Sequence, residues 1–213
     1  MAERQSMVAE QFEDAPQQRE AATLGMWTFL TTEILFFGGL FMAYVVYRHA
    51  YPEGFAAGSR HTDLFFGTLN TAILLTSSLT MVLAVRAAQE NEIKMTIRCL
   101  LLTLGLASGF LVVKGFEYHK DIVDHLVPGP HFAPELPPRA QLFFWLYWVM
   151  TGLHALHVIV GMGLLSVMTW LARRGKFSAE YHTPIEVVGL YWHFVDIVWI
   201  FLYPLLYLIN RHA

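Results

Sequence analysis

The residues able to do chemistry in this chain are few, and most lie within long apolar runs. His154 and His157 stand three apart in Thr151-Gly152-Leu153-His154-Ala155-Leu156-His157-Val158, with Gly161 following. A second group, Tyr191-Trp192-His193, is followed by Asp196. Lys114 and Glu117 are also three apart, and Glu33 stands in Thr31-Thr32-Glu33-Ile34-Leu35-Phe36-Phe37-Gly38-Gly39. Membrane histidines suggest haem or metal, and an intramembrane carboxyl suggests proton handling.

The haem reading meets a geometric obstacle. Two histidines clamping one haem must sit at similar depth on their helices. His157 lies about 14 residues from one end of its apolar run and His193 about 8 from the matching end of its own, a depth difference of roughly 9 Å at helical rise. His-x-x-His also lacks the Glu of a His-Glu-x-x-His zinc helix, and the single Cys99 builds no thiolate site. Gly-rich phosphate loops and nucleophile elbows do not occur. The reading of the histidines is therefore hydrogen-bonded packing, and no catalytic, cofactor or metal residue is assigned to this chain.

Helical periodicity sorts these groups onto faces. At 100° per residue Thr151, His154, His157 and Gly161 share an arc of about 120°. Gly189, His193, Asp196, Tyr203 and Tyr207 share about 80°. Small residues let helices approach closely and polar ones bond across the contact, so both faces are expected to point into protein. Lys114 and Glu117 share a face and are expected to pair. Glu33 has Tyr44 and Tyr47 on its side only a turn or more away, so its nearer partner is expected from another helix.

The elements that carry these residues span a membrane. The chain has 213 residues, 55% hydrophobic, 15% aromatic and only 15% charged, against about 25% charged in a soluble domain. Its mean hydropathy is +0.44. The net charge of −3, with no basic block, gives no sign of nucleic acid binding. Five runs are long enough to cross a bilayer core of about 30 Å, near 24–47, 64–85, 99–119, 141–171 and 185–208. Helix is the state in which a lone crossing satisfies its backbone. The fold expected is an all-α membrane bundle of five helices in one domain, 23–213, behind a polar arm at 1–22 that does not read as a cleavable signal.

Polar, Gly- and Pro-containing breaks at 48–63, 86–98, 120–140 and 172–184 separate the runs. The arm and the second and fourth breaks carry eight Lys and Arg, the other side five, which favours an inside N-terminus and an outside C-terminus. Trp27, Tyr44, Tyr47, Tyr51, Trp145, Tyr147, Trp148, Trp170, Tyr203 and Tyr207 sit near run ends and read as interfacial anchors.

Several of these segments resemble subunit III of the haem–copper respiratory oxidases. Thr32-Glu33-Ile34-Leu35-Phe36-Phe37 is similar to that family's Ser-Glu-x-x-Phe-Phe run, and Leu69-Asn70-Thr71 to its Leu-Asn-Thr segment. Glu117-Tyr118 resembles its Glu-Tyr turn. Thr151–Val158 resembles its Thr-Gly-x-His-x-x-His-Val signature, and Tyr191–Trp199 its Tyr-Trp-His-Phe-Val-Asp-x-Val-Trp signature. The order is kept from about residue 20 to 210. Many members have seven spans; against that pattern this chain lacks the first two, and with them one arm of the lipid-holding cleft.

The resemblance implies a non-catalytic accessory subunit of an oxygen-reducing, proton-pumping oxidase of aerobic respiratory electron transport. Haem and copper would reside in the catalytic subunit I, which this chain would contact along with other oxidase subunits, supporting its assembly, stability and proton uptake. A multi-pass location in the bacterial inner membrane follows, with membrane lipid as neighbour and structural phospholipid open as a ligand. The intramembrane polar signature carried over is Glu33, Asn70, Glu117, His154, His157, Trp192, His193 and Asp196. Rival readings are an accessory subunit of a nitric oxide reductase and an autonomous proton-coupled transporter using Glu33 and Asp196.

Overall fold

The computed structural model describes residues 11–130, 132–137 and 139–209. The first ten residues of the polar arm and Arg211 of the charge count lie outside the described residues. Among the described residues six helices follow one another: α1 Ala15–Ala50, α2 Pro52–His61, α3 Leu64–Gln89, α4 Ile93–Val123, α5 Ala140–Arg173 and α6 Thr183–Tyr203, the last continuing into a π turn, Pro204–Leu208. Five of them, counting α6 with its π turn as one, are long and apolar enough to cross a membrane.

Local chemistry sets the helix bounds. Asp14 caps α1 by accepting the Gln17 amide at 2.8 Å, with Pro16 in the first turn. The helix thus starts inside the polar arm. Asp63 caps α3 through the amides of Phe65 and Phe66. The turn between α3 and α4 is short because Asn91 takes a left-handed φ of 62°, which Asn tolerates better than most residues. Gly175, at φ 68°, closes α5 while the Lys176 amide reaches back to the Leu171 carbonyl.

The short α2 was not anticipated. Its two glycines and leading proline read as a break. Gly54 and Gly58 instead let α2 lie directly on the start of α5, where a Cβ at Gly54 would stand 2.8 Å from the Arg139 backbone and one at Gly58 would meet the Phe143 ring.

The α6 helix is the axis of the bundle. Of its apolar stretch 61% is buried, against 17% for α1, so α1 is the peripheral crossing. The α1 helix rests on α6, α5 and α2, while α3 and α4 form a close antiparallel pair that also covers α6 and is joined midway by the Thr80 and Thr103 hydroxyls at 2.8 Å. Pro204 lacks an N–H and cannot continue α6 in register. The π turn that follows leaves carbonyls without helical donors, and side chains from neighbouring elements supply them. Tyr44 donates to Leu205, Thr62 to Leu206 at 3.3 Å and Ser59 to Ile209 at 2.7 Å.

Candidate functional site

Three polar clusters occupy the interior, each at the meeting of different helices. The first is built on α4, where Lys114, Glu117 and Asp121 succeed one another at three and four residues and so form one stripe. Lys114 is 2% exposed and Glu117 fully enclosed. The Lys114 ammonium donates to Glu117 Oε2 at 3.1 Å, to the Tyr147 hydroxyl of α5 at 3.0 Å and to the Tyr207 hydroxyl of the π turn at 2.7 Å. Its three hydrogens are thereby used. The rings of Tyr118, Tyr147, Trp199 and Tyr207 surround the cation at 4.7–5.7 Å. Tyr207 donates to Glu117 Oε1 at 2.6 Å. Tyr147 lies 2.8 Å from that same oxygen and 3.0 Å from Asp121 Oδ2, so its single proton serves two carboxyls.

The expected Lys114–Glu117 pair is therefore present. Tyr44, Tyr147 and Tyr207, read as interfacial anchors, are instead buried and hydrogen-bonded, and Asp121 belongs to the interior rather than to a loop. The signals for these were in the chain. Asp121 follows Glu117 by one turn, and Tyr147 precedes Thr151 by one turn on the same polar face. Trp27, Trp145 and Trp170 do remain exposed.

The second cluster joins α1 to α5. Glu33 Oε2 lies 3.1 Å from His157 Nε2, which supplies the partner from another helix that Glu33 requires. His157 Nδ1 is 2.8 Å from the Leu153 carbonyl, an acceptor only, so Nδ1 carries hydrogen. One further proton must then lie between Nε2 and Oε2, either on the imidazole or on the carboxyl. Phe37 packs edge-on against the ring at 5.1 Å, and the Tyr191 hydroxyl binds the His157 carbonyl at 3.1 Å.

The third is a seam between α3 and α6. Thr68 meets Tyr203 at 2.7 Å, Trp199 donates to Thr71 at 3.0 Å, Trp192 donates to Ser77 at 3.2 Å, and Ser78 bonds His193 Nδ1 at 2.8 Å. Gly161 of α5 admits the Trp192 ring, since a Cβ there would stand 2.9 Å from it. Asn70, His154 and Asp196 are buried, and their side-chain polar atoms have no hydrogen-bond partner. The His154 ring lies between those of Phe110 and Trp199, at 5.5 and 5.1 Å.

The eight signature residues are thus divided among clusters rather than gathered into one centre. His154, His157 and His193 each face different partners. Among the described residues no three His, Cys, Asp or Glu side chains converge as a metal site would require. Glu33, Glu117, His157, Trp192 and His193 join helices through the bonds above, whereas Asn70, His154 and Asp196 are enclosed without a side-chain hydrogen bond.

Comparison with known proteins gives this arrangement a context. The family model "Cytochrome c oxidase subunit III" matches residues 11–210. A protein of Thermostichus vulcanus named cytochrome c oxidase subunit 3 is 33% identical over 198 residues, covering 92% of each chain. The protein of that name from Synechocystis sp. is 33% identical over 87% of this chain and 74% of its own. The one from Oncorhynchus mykiss is 34% identical over 90% of this chain and 71% of its own.

Proposed function

We propose, since this chain belongs to the cytochrome c oxidase subunit III family, that it is a non-catalytic accessory subunit of a haem–copper terminal oxidase. It is a multi-pass membrane protein that works in a complex with other oxidase subunits. The match over nearly the whole chain carries this reading. The internal use of the signature residues agrees with it, because Glu117, His157, Trp192 and His193 are each taken up by bonds within the bundle.

The finer assignments rest on the resemblance and on charge. The catalytic subunit I is the partner, and it holds the haem and copper. This chain supports that subunit's assembly, stability and proton uptake. It lies in a bacterial inner membrane with its N-terminus inside, as the Lys and Arg bias favours. The matched relatives are named for the oxidase, which favours it over a nitric oxide reductase or a transporter.

Purification through a tag on this chain in mild detergent, with a visible spectrum and subunit analysis, tests the role. Co-purification of a haem-bearing, oxygen-consuming complex is the expected result. A colourless chain that purifies alone in several mild detergents would sink it. Reduction by cytochrome c or by quinol then identifies the electron donor.

A further inference from the structure

The α3–α6 seam has one break. Asp196 lies one turn from Trp192, His193 and Trp199, all of which bond to α3, yet neither of its own oxygens has a hydrogen-bond partner. It is 3% exposed. No Asp, Glu, Lys or Arg occurs on α3 from Leu64 to Val85. On α1, Glu33 is bound to His157; on α5, His154 is enclosed by aromatic rings; on α4, Lys114 is fully used by Glu117 and two tyrosines. None of these supplies a countercharge. A carboxylate buried without cation or donor is strongly disfavoured, and such a group takes up a proton instead.

A route for that proton is present. Ser78 of α3 stands opposite the face of α6 that carries His193 and, one turn on, Asp196. Its hydroxyl lies 2.8 Å from His193 Nδ1. His193 is half-buried and lines a groove of about 370 Å³ between α1, α3 and α6, whose polar residues are Arg19, Thr23 and Glu186. Glu186 stands two turns before His193 on α6, so the groove runs from the helix end inward.

We propose that Asp196 is a proton-binding site that exchanges with water in this groove through Ser78 and His193. In the outward direction the carboxyl proton passes to Ser78 Oγ while the Ser78 proton passes to His193 Nδ1. A carboxylate and an imidazolium result, and the imidazolium releases its Nε2 proton to groove water. The reverse sequence reloads the acid. This property belongs to the chain itself and goes beyond its accessory role.

Infrared spectroscopy of the intact complex, with carboxyl-¹³C aspartate incorporated, tests the site. At neutral pH the wild type shows a protonated-acid carbonyl band that shifts in D₂O and disappears in Asp196→Asn. That variant assembles normally, because the amide is a neutral isostere of the acid. Ser78→Ala, which leaves Asp196 in place, slows the D₂O shift about tenfold or more. Absence of the band from wild type, failure of Asp196→Asn to assemble, or wild-type exchange in Ser78→Ala would each overturn the proposal.

Discussion

Lys114 illustrates how a buried charge is tolerated in this chain. Each of its three hydrogens has an acceptor, and four aromatic rings stand around it. Removing one member of a buried pair costs about 3–5 kcal/mol, because the other is left uncompensated. Lys114→Met is therefore expected to lower the thermal midpoint of the purified complex sharply. Adding Glu117→Leu to the same chain should recover part of that loss, since neither charge then remains. Glu33→Gln is expected to behave differently. Its amide donates to His157 Nε2 as a protonated carboxyl would, so assembly and oxygen consumption should stay close to wild type. Loss of all turnover in a fully assembled Glu33→Gln complex would assign Glu33 a role in proton movement. How far such residues were readable in the sequence depended on distance along the chain. Lys114 and Glu117 share a turn, so their pairing followed from spacing alone. Tyr207 reaches them from 93 residues away, and no periodicity links the two. Asn70 was singled out only by resemblance, because a lone amide on an apolar helix has no pattern of its own.

Among the elements, the five crossings were readable because a bilayer demands length and apolarity, which composition records directly. Their ends were less so. Asp14 starts α1 within the polar arm, since a capping carboxylate and a proline outweigh low hydropathy. The α2 helix escaped notice because its glycines lower helix propensity while serving a close approach that only the tertiary structure reveals. Gly54→Ala should accordingly destabilise by about 1–3 kcal/mol, read as a lower thermal midpoint, because the facing atoms are the Arg139 backbone. Asp63 ties the start of α3 to the end of α4 through Lys120 at 2.7 Å. Burial pushes its carboxyl up, but the Lys120 hydrogen bond, the Phe66 and Phe65 amides and the Lys120 charge together hold it below its usual 3.8. A depressed carboxyl stabilises above its unfolded value and loses that contribution as pH falls through the folded one. The tie should thus hold unchanged from neutral pH down to about pH 5 and fail only below about pH 4. Asp63→Asn, which keeps the cap, should cost no more than about 1 kcal/mol, as a partly exposed pair implies.

For the whole molecule, orientation is the proposal most open to direct test. The one native cysteine, Cys99, is 2% exposed, so cysteines introduced in the connections can be labelled over a low background. In intact cells a membrane-impermeant thiol reagent should modify Gly129→Cys between α4 and α5, while Ser178→Cys between α5 and α6 should react only after permeabilisation. The reverse pattern would invert the topology. The polar interior has a further consequence, in biosynthetic time. The α1 helix is inserted first, but its Glu33 waits for a histidine 124 residues downstream. At ribosomal speeds of about 5–20 residues per second, that is an interval of about 6–25 s. Throughout it the Glu33–His157 contact cannot form, so α1 is fastened to the bundle through this pair only after α5 has been made.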